Sequence, residues 1–273
     1  MPYRDTAMPC PYRLGIFGRK GRTSVRPYGY IENFVGNIHP KTMILLAIRV
    51  ICSSMTSNTP APNTTPSLIS PAVTPKPAPD KPHVKLGIMV SGSGTNFEAI
   101  AQAIADGQLH AQIQVMIYNN PAIKALARAE KFGIPTVLHN HRDYKKREAL
   151  DAQIVETLRQ YHVELVVMAG WMRIVTPVLI DAFRDRILNL HPSLLPSFKG
   201  IHAEEEALAA GVKITGCTVH LVSPEVDSGP ILIQAAVPVL PNDTPETLHA
   251  RIQVQEHRIL PQAIAQIAVA LQR

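Results

Sequence analysis

The chain has 273 residues, 46% of them hydrophobic, and a formal net charge of +6. That length admits one or two domains with a full core, but the charge is uneven: residues 1–82 hold ten Lys/Arg against three Asp/Glu, and the remainder 17 against 18. The basic surplus therefore belongs to the N-terminal segment, and a nucleic-acid-binding role for the rest cannot be read from the overall charge.

Residues 1–82 do not read as a domain. Residues 56–82 carry eight prolines among Thr, Ser, Ala and Asn, a composition unable to bury a core, as in a disordered linker. Residues 1–55 are basic and lack sustained periodicity. Met55 is an alternative start, so a mis-started leader, a targeting peptide and a disordered arm all stay open for the first 54 residues. The apolar run Met43–Cys52 contains Arg49 and is too short for a membrane span. Cys10, Cys52 and Cys217 are far apart, odd in number and without CxxC pairing. They argue against a disulfide framework and a zinc knuckle, and for a reducing, cytoplasmic compartment.

From Val84 the pattern changes. A buried strand is expected over Val84–Val90, a helix over Asn96–Ala105, a strand over Gln112–Tyr118, a helix over Ala122–Phe132 and a short strand over Thr136–Leu138. A long amphipathic helix over Asp143–Tyr161 and an apolar central strand over Val163–Ala169 follow. This alternation predicts an α/β fold: a doubly wound, mostly parallel sheet with helices on both faces, Rossmann-like. Ligands in such sheets sit beyond the carboxyl ends of the strands.

The first strand ends in Ser91-Gly92-Ser93-Gly94-Thr95-Asn96, where small residues and a helix N-terminus suit an anion. A dinucleotide fingerprint fails because Phe97 stands where a third glycine would be, and a Walker loop fails for want of GKS/T. One phosphate fits better than NAD or ATP; an ordinary strand–helix turn with Thr95 or Asn96 as cap is the competing reading. The central strand runs into Gly170-Trp171-Met172-Arg173, where Trp171 alone reads as core. Next comes Asn189-Leu190-His191-Pro192. Two residues apart in an extended segment, Asn189 and His191 share a face. An amide beside an imidazole suits acyl transfer, in which a carbonyl oxygen becomes an oxyanion. Gly216–Val222 and Ile231–Val239 read as strands flanking the loop Ser223–Pro230, which carries Asp227. A carboxylate near His191 would favour its protonated form, although Asp-Ser-Gly-Pro is also a good turn. No Ser or Cys is arranged beside His191 as a nucleophile, and His191, His202 and His220 lack metal-ligand spacing, so no metal is expected.

The ordered set SGSGTN, AGWMRI, NLHPSLLP, TVHLV and VDSGP resembles the formyltransferases that use 10-formyltetrahydrofolate, over residues 84–271. Within them it is most similar to the glycinamide ribonucleotide branch, on the phosphate loop and on Gln253-Val254-Gln255-Glu256-His257 of the last helix. The resemblance implies a catalytic domain at 83–273 and a role in de novo purine (IMP) biosynthesis. It implies Asn189, His191 and Asp227 as catalytic residues, and Gly94, Thr95, Asn96, Gln253 and Glu256 as contacts to the ribonucleotide. Gln253 and Glu256, three apart, share a helix face. The folate side would be lined by Met172, Arg173, Ile174, Val175, Asn189, Ser223, Pro224, Glu225, Val226 and Asp227. Arg147 matches a family arginine on that side, though a solvated helix face explains it nearly as well. Lys199-Gly200-Ile201-His202 departs from the family order. The implied partners are small molecules, without nucleic acid or membrane, acting on a monomer or homodimer. The alternatives are a 10-formyltetrahydrofolate hydrolase and a formyltransferase acting on another amine.

Overall fold

The computed structural model describes residues 68–71 and 83–271, all within one compact unit, Thr64–Arg273. The expectations for residues 1–67 and 72–82 lie outside the described residues. In chain order the strands are β1 (Ile69–Ser70), β2 (Val84–Val90), β3 (Ala111–Tyr118), β4 (Thr136–Leu138), β5 (Leu165–Met168), β6 (Ile187–His191), β7 (Ile214–Leu221) and β8 (Ile231–Pro238). The α-helices are α1 (Thr95–Ala105), α2 (Ala125–Lys131), α3 (Arg147–Gln160), α4 (Pro177–Ala182), α5 (Ala203–Ala209) and α6 (Pro245–Leu271).

The strands form one sheet in the order β1-β8-β7-β6-β5-β2-β3-β4. β2 to β6 run parallel, whereas β7 and β8 return antiparallel and β1 adds to the outer edge of β8. Both faces are buried, which explains why β2 and β5 read as nearly unbroken apolar runs. Alternate side chains enter different cores: Leu86, Ile88 and Val90 of β2 meet α1, α2 and α6, while Met89 faces α3 and α4. Phe97 and Ile100 of α1 are fully buried in the first core, each contributing about 1.5–3 kcal/mol. Leu150, Ile154 and Leu158 form the inward stripe of α3. A Cβ on Gly87 would lie 2.4 Å from Leu158 Cδ2, so Leu158 would have to shift to admit a side chain there.

Some boundaries differ from the sequence reading. The expected helix over Asp143–Tyr161 is two pieces: a 3₁₀ turn, His141–Asp143, whose start is capped by Asn140 accepting from the Arg142 amide at 3.3 Å, and then α3 from Arg147. The helix expected over Ala122–Phe132 is shorter, Ala125–Lys131. Strand β1 lies inside the proline-rich stretch read as linker; Leu68 accepts a hydrogen bond from the Ala236 amide, and Ile69 stands opposite Ala235. Neither Thr95 nor Asn96 caps α1. Gly94 holds the cap position at φ 72°, because both side chains are committed to α6.

Candidate active site

The C-terminal ends of β2 and β5 are tied together above the sheet. The Ser91 amide donates to the Gly170 carbonyl at 3.0 Å, and the Met172 amide donates to Ser91 Oγ at 2.9 Å. Gly94 turns the chain into α1 against α2, and a Cβ on it would lie 2.5 Å from that of Ala125. Thr95 Oγ1 accepts from Gln253 Nε2 at 3.0 Å, and Asn96 Nδ2 donates to Glu256 Oε2 at 2.9 Å. The sequence reading assigned these four side chains to one substrate, and the fold brings them together at the head of α1. The first amides of that helix lack intrahelical acceptors and form an anion-binding end. Glu256 is buried, and burial raises its pKa against the opposing hydrogen bond from Asn96.

The second group gathers on β6. Asn189 Nδ2 lies 3.4 Å from Asp227 Oδ1, and His191 Nδ1 lies 3.4 Å from Asp227 Oδ2. An amide and an imidazole thus converge on one carboxylate at distances longer than the usual N–H···O range. His191 Nε2 donates to the Phe198 carbonyl at 2.8 Å, so each ring nitrogen faces an oxygen atom. The Gly200 amide donates to Asp227 Oδ2 at 3.0 Å. Asp227 sits at φ 49°, a left-handed conformation uncommon for a residue with a side chain.

His220 is a member of this group that the sequence reading had weighed only as a metal ligand. The antiparallel register of β6 and β7 sets it opposite Asn189. Burial lowers its pKa, against the opposing hydrogen bond to the Leu221 carbonyl. Its Nδ1 donates to that carbonyl at 2.9 Å, which leaves the Nε2 lone pair to accept from Asn189 Nδ2 at 3.1 Å. Neutral His220 therefore fixes which end of the Asn189 amide faces the site. The alternation Thr218-Val219-His220-Leu221 was the available signal.

A buried network holds the segment that carries Phe198 and Gly200. Thr218 Oγ1 donates to the Ser193 carbonyl at 2.7 Å and accepts from the Leu195 amide at 3.1 Å, while Gln234 Nε2 donates to the Leu195 carbonyl at 3.0 Å. Ser193 Oγ donates to the Ser197 carbonyl at 2.5 Å. Between these groups lies a cavity of about 440 Å³. Its lining includes Asn96, Glu256, Asn189, His191, His220 and Asp227, together with Trp171, Met172, Arg173, Ile174, Val175, Ser223, Pro224, Glu225 and Val226. Of the side chains assigned to the folate side, Arg147 is the exception. It is exposed at the start of α3 and does not line the cavity. Glu204 and His249, absent from the sequence reading, line it as well. Among the described residues no helix is long and apolar enough to cross a membrane.

Comparison with known proteins agrees with this arrangement. Residues 84–264 match the Formyl transferase family. The trifunctional purine biosynthetic protein adenosine-3 of Bos taurus is 44% identical over 67% of this chain, which spans 18% of that relative's length. The phosphoribosylglycinamide formyltransferase of Bacillus subtilis is 39% identical over 67% of this chain and 94% of its own length. The crystal structure of glycinamide ribonucleotide transformylase 1 from Symbiobacterium toebii superimposes with a TM-score of 0.68 at 45% identity, over 69% of this chain and 89% of that one. The chain therefore belongs to the formyl transferase family.

Proposed function

We propose that this chain transfers the formyl group of 10-formyltetrahydrofolate to the glycine amine of glycinamide ribonucleotide, a step of de novo purine biosynthesis, with residues 83–273 as the catalytic domain. The observation that carries the reading is the convergence of Asn189 and His191 on Asp227, in a cavity that also reaches Asn96 and Glu256 at the head of α1. The names of the Bacillus subtilis and Bos taurus relatives support the acceptor and the pathway.

The residues present fit both substrates. The cavity has the size of a small-molecule site. Its wall carries Met172, Ile174 and Val226 as exposed apolar side chains, and Arg173 Nε is buried without a partner, the pairing of surfaces that a flat heteroaromatic ring requires. The formylated folate supplies an acyl carbon bearing a nitrogen leaving group. Asn189 Nδ2 and His191 Nδ1 give up their long contacts to Asp227 and donate to the acyl oxygen as it gains charge. Losing one such donor costs on the order of 3 kcal/mol, or about a hundredfold in rate. Asp227 keeps the His191 ring oriented and takes part in moving the amine proton through water. Gly94, Thr95 and Asn96 hold the phosphate at the head of α1, and Gln253 and Glu256 hold the ribose side. Arg147, outside the cavity, meets the distal end of the folate. No covalent acyl-enzyme forms: Cys217 is buried in β7, and burial pushes its thiol pKa well up. The three scattered cysteines, without CxxC pairing, support a reducing, cytoplasmic setting for the activity.

The test mixes the full chain with 10-formyltetrahydrofolate, with and without glycinamide ribonucleotide, and follows tetrahydrofolate and the formylated product. Turnover that requires the ribonucleotide and is lost in His191→Ala is the expected result. Equal release of tetrahydrofolate without the ribonucleotide would replace this reading with the hydrolase.

A further inference from the structure

The loop at the head of α1 contains no cationic side chain, although a phosphomonoester brings close to two negative charges. Arg128 is the nearest candidate, but its Nε donates to the Ser93 carbonyl at 2.9 Å and its guanidinium pairs with Glu98, which Lys131 also meets at 3.0 Å. Glu98 thus answers only one of these two cations, but Arg128 is held against the Ser93 carbonyl and does not line the cavity. Across the cavity, α6 presents His249, Gln253 and Glu256 at spacings of four and three residues, one stripe of a helix. Gln253 and Glu256 already reach Thr95 and Asn96. His249, one turn earlier, lines the same cavity with its ring half-exposed. Its Nδ1 is 2.7 Å from Glu204 Oε1 on α5, a side chain only 13% exposed. Such a short charge-assisted pair fixes the ring and leaves Nε2–H for a ligand.

We propose that His249, oriented by Glu204, is a specificity-determining residue for the phosphomonoester of the nucleotide substrate, supplying a cation from the cavity side, which Arg128 does not line. Glu204 raises the pKa of His249, against burial and with further help from Glu256. The groups that face the ring, Glu204 from α5 and Glu256 from its own helix, are thus both acidic, and the imidazolium is the favoured form. The inference rests on the ribonucleotide reading of the site and deepens it, since it names how the phosphate is recognised.

The experiment is calorimetry of ribose 5-phosphate on the full chain, for wild type, His249→Gln and His249→Lys, beside steady-state kinetics. His249→Gln should weaken ribose 5-phosphate about tenfold, the effect of one charge-assisted contact, and raise KM for the ribonucleotide in parallel. KM for 10-formyltetrahydrofolate should stay within about twofold, because the loss is confined to one substrate's ground-state binding. His249→Lys should recover most of the binding, which a purely packing role between α5 and α6 would not allow. Equal affinity in wild type and His249→Gln overturns the proposal, as does a loss that lysine fails to restore or a wild type that does not bind ribose 5-phosphate. A chain that binds ribose 5-phosphate through His249 yet formylates a different phosphorylated amine would overturn the acceptor and leave His249 standing.

Discussion

Asp227 receives a donor on each carboxylate oxygen, Asn189 on Oδ1 and the Gly200 amide on Oδ2, with His191 Nδ1 3.4 Å from Oδ2. The isosteric Asp227→Asn change would replace one acceptor oxygen with an NH₂ group, which must face a donor, and would remove the charge that the His191 ring faces. We expect kcat to fall by about a hundredfold or more, with KM for the ribonucleotide little changed, since Asp227 lies away from Thr95 and Gln253. Steady-state kinetics decides it; a variant that loses only ribonucleotide affinity would remove Asp227 from the reacting centre. Asn189 and His191 were legible in the sequence because their separation of two residues in an extended run puts them on one face. Asp227 was visible from its loop as a carboxylate partner or a turn residue, and only the family resemblance favoured the first, since a turn explains Asp-Ser-Gly-Pro equally well. His220 was not legible as a partner of Asn189. A single histidine in an alternating strand looks like core until the antiparallel register of β6 and β7 is known.

At the scale of elements, the turn from β2 into α1 depends on one glycine more than the other. Gly94 combines φ 72° with a Cβ position 2.5 Å from Ala125 Cβ, whereas nothing lies within 4 Å of a Cβ on Gly92. Gly94→Ala should therefore destabilise by about 1–3 kcal/mol through strain and overpacking, while Gly92→Ala should stay within about 0.5 kcal/mol. Denaturant unfolding of the two variants separates them, and equal losses would mean that the turn tolerates a side chain at both positions. The sequence motif marked this turn as Gly-rich but could not rank its glycines, because the clash comes from α2, which packs from 31 residues along the chain. The break between the 3₁₀ turn and α3 was hidden for a related reason. Tyr144, Lys145 and Lys146 contain no helix breaker, yet Tyr144 and Lys146 are extended, with the Tyr144 hydroxyl 3.2 Å from His139 Nδ1.

The described residues bury both faces of one sheet, and that much followed from the apolar runs and the strand–helix alternation. The antiparallel return of β7 and β8 and the added β1 did not, since hydrophobic period reports burial and says nothing of direction. This burial also places ionisable groups in the interior, with consequences for stability that oppose function. Glu256 is 4% exposed, and burial raises its pKa above the usual 4.5. A carboxyl with a raised folded-state pKa contributes stability that is fully present below its unfolded value and is lost as pH rises through its folded value. Glu256→Gln retains an oxygen to accept from Asn96 Nδ2 and never ionises. The variant and the wild type should melt together at acid pH, and the variant should gain on the wild type as pH rises, each kcal/mol appearing as about 2–4 °C in Tm. Meanwhile KM for the ribonucleotide should rise, because on the proposed reading the carboxylate serves the ligand at a cost to the fold. Thermal melts of both proteins from about pH 4 to 8, with His249 and Glu204 left intact, measure this directly. A Tm difference that stays flat across that range would mean that Glu256 is already compensated by His249, and that the site carries no such conflict between stability and binding.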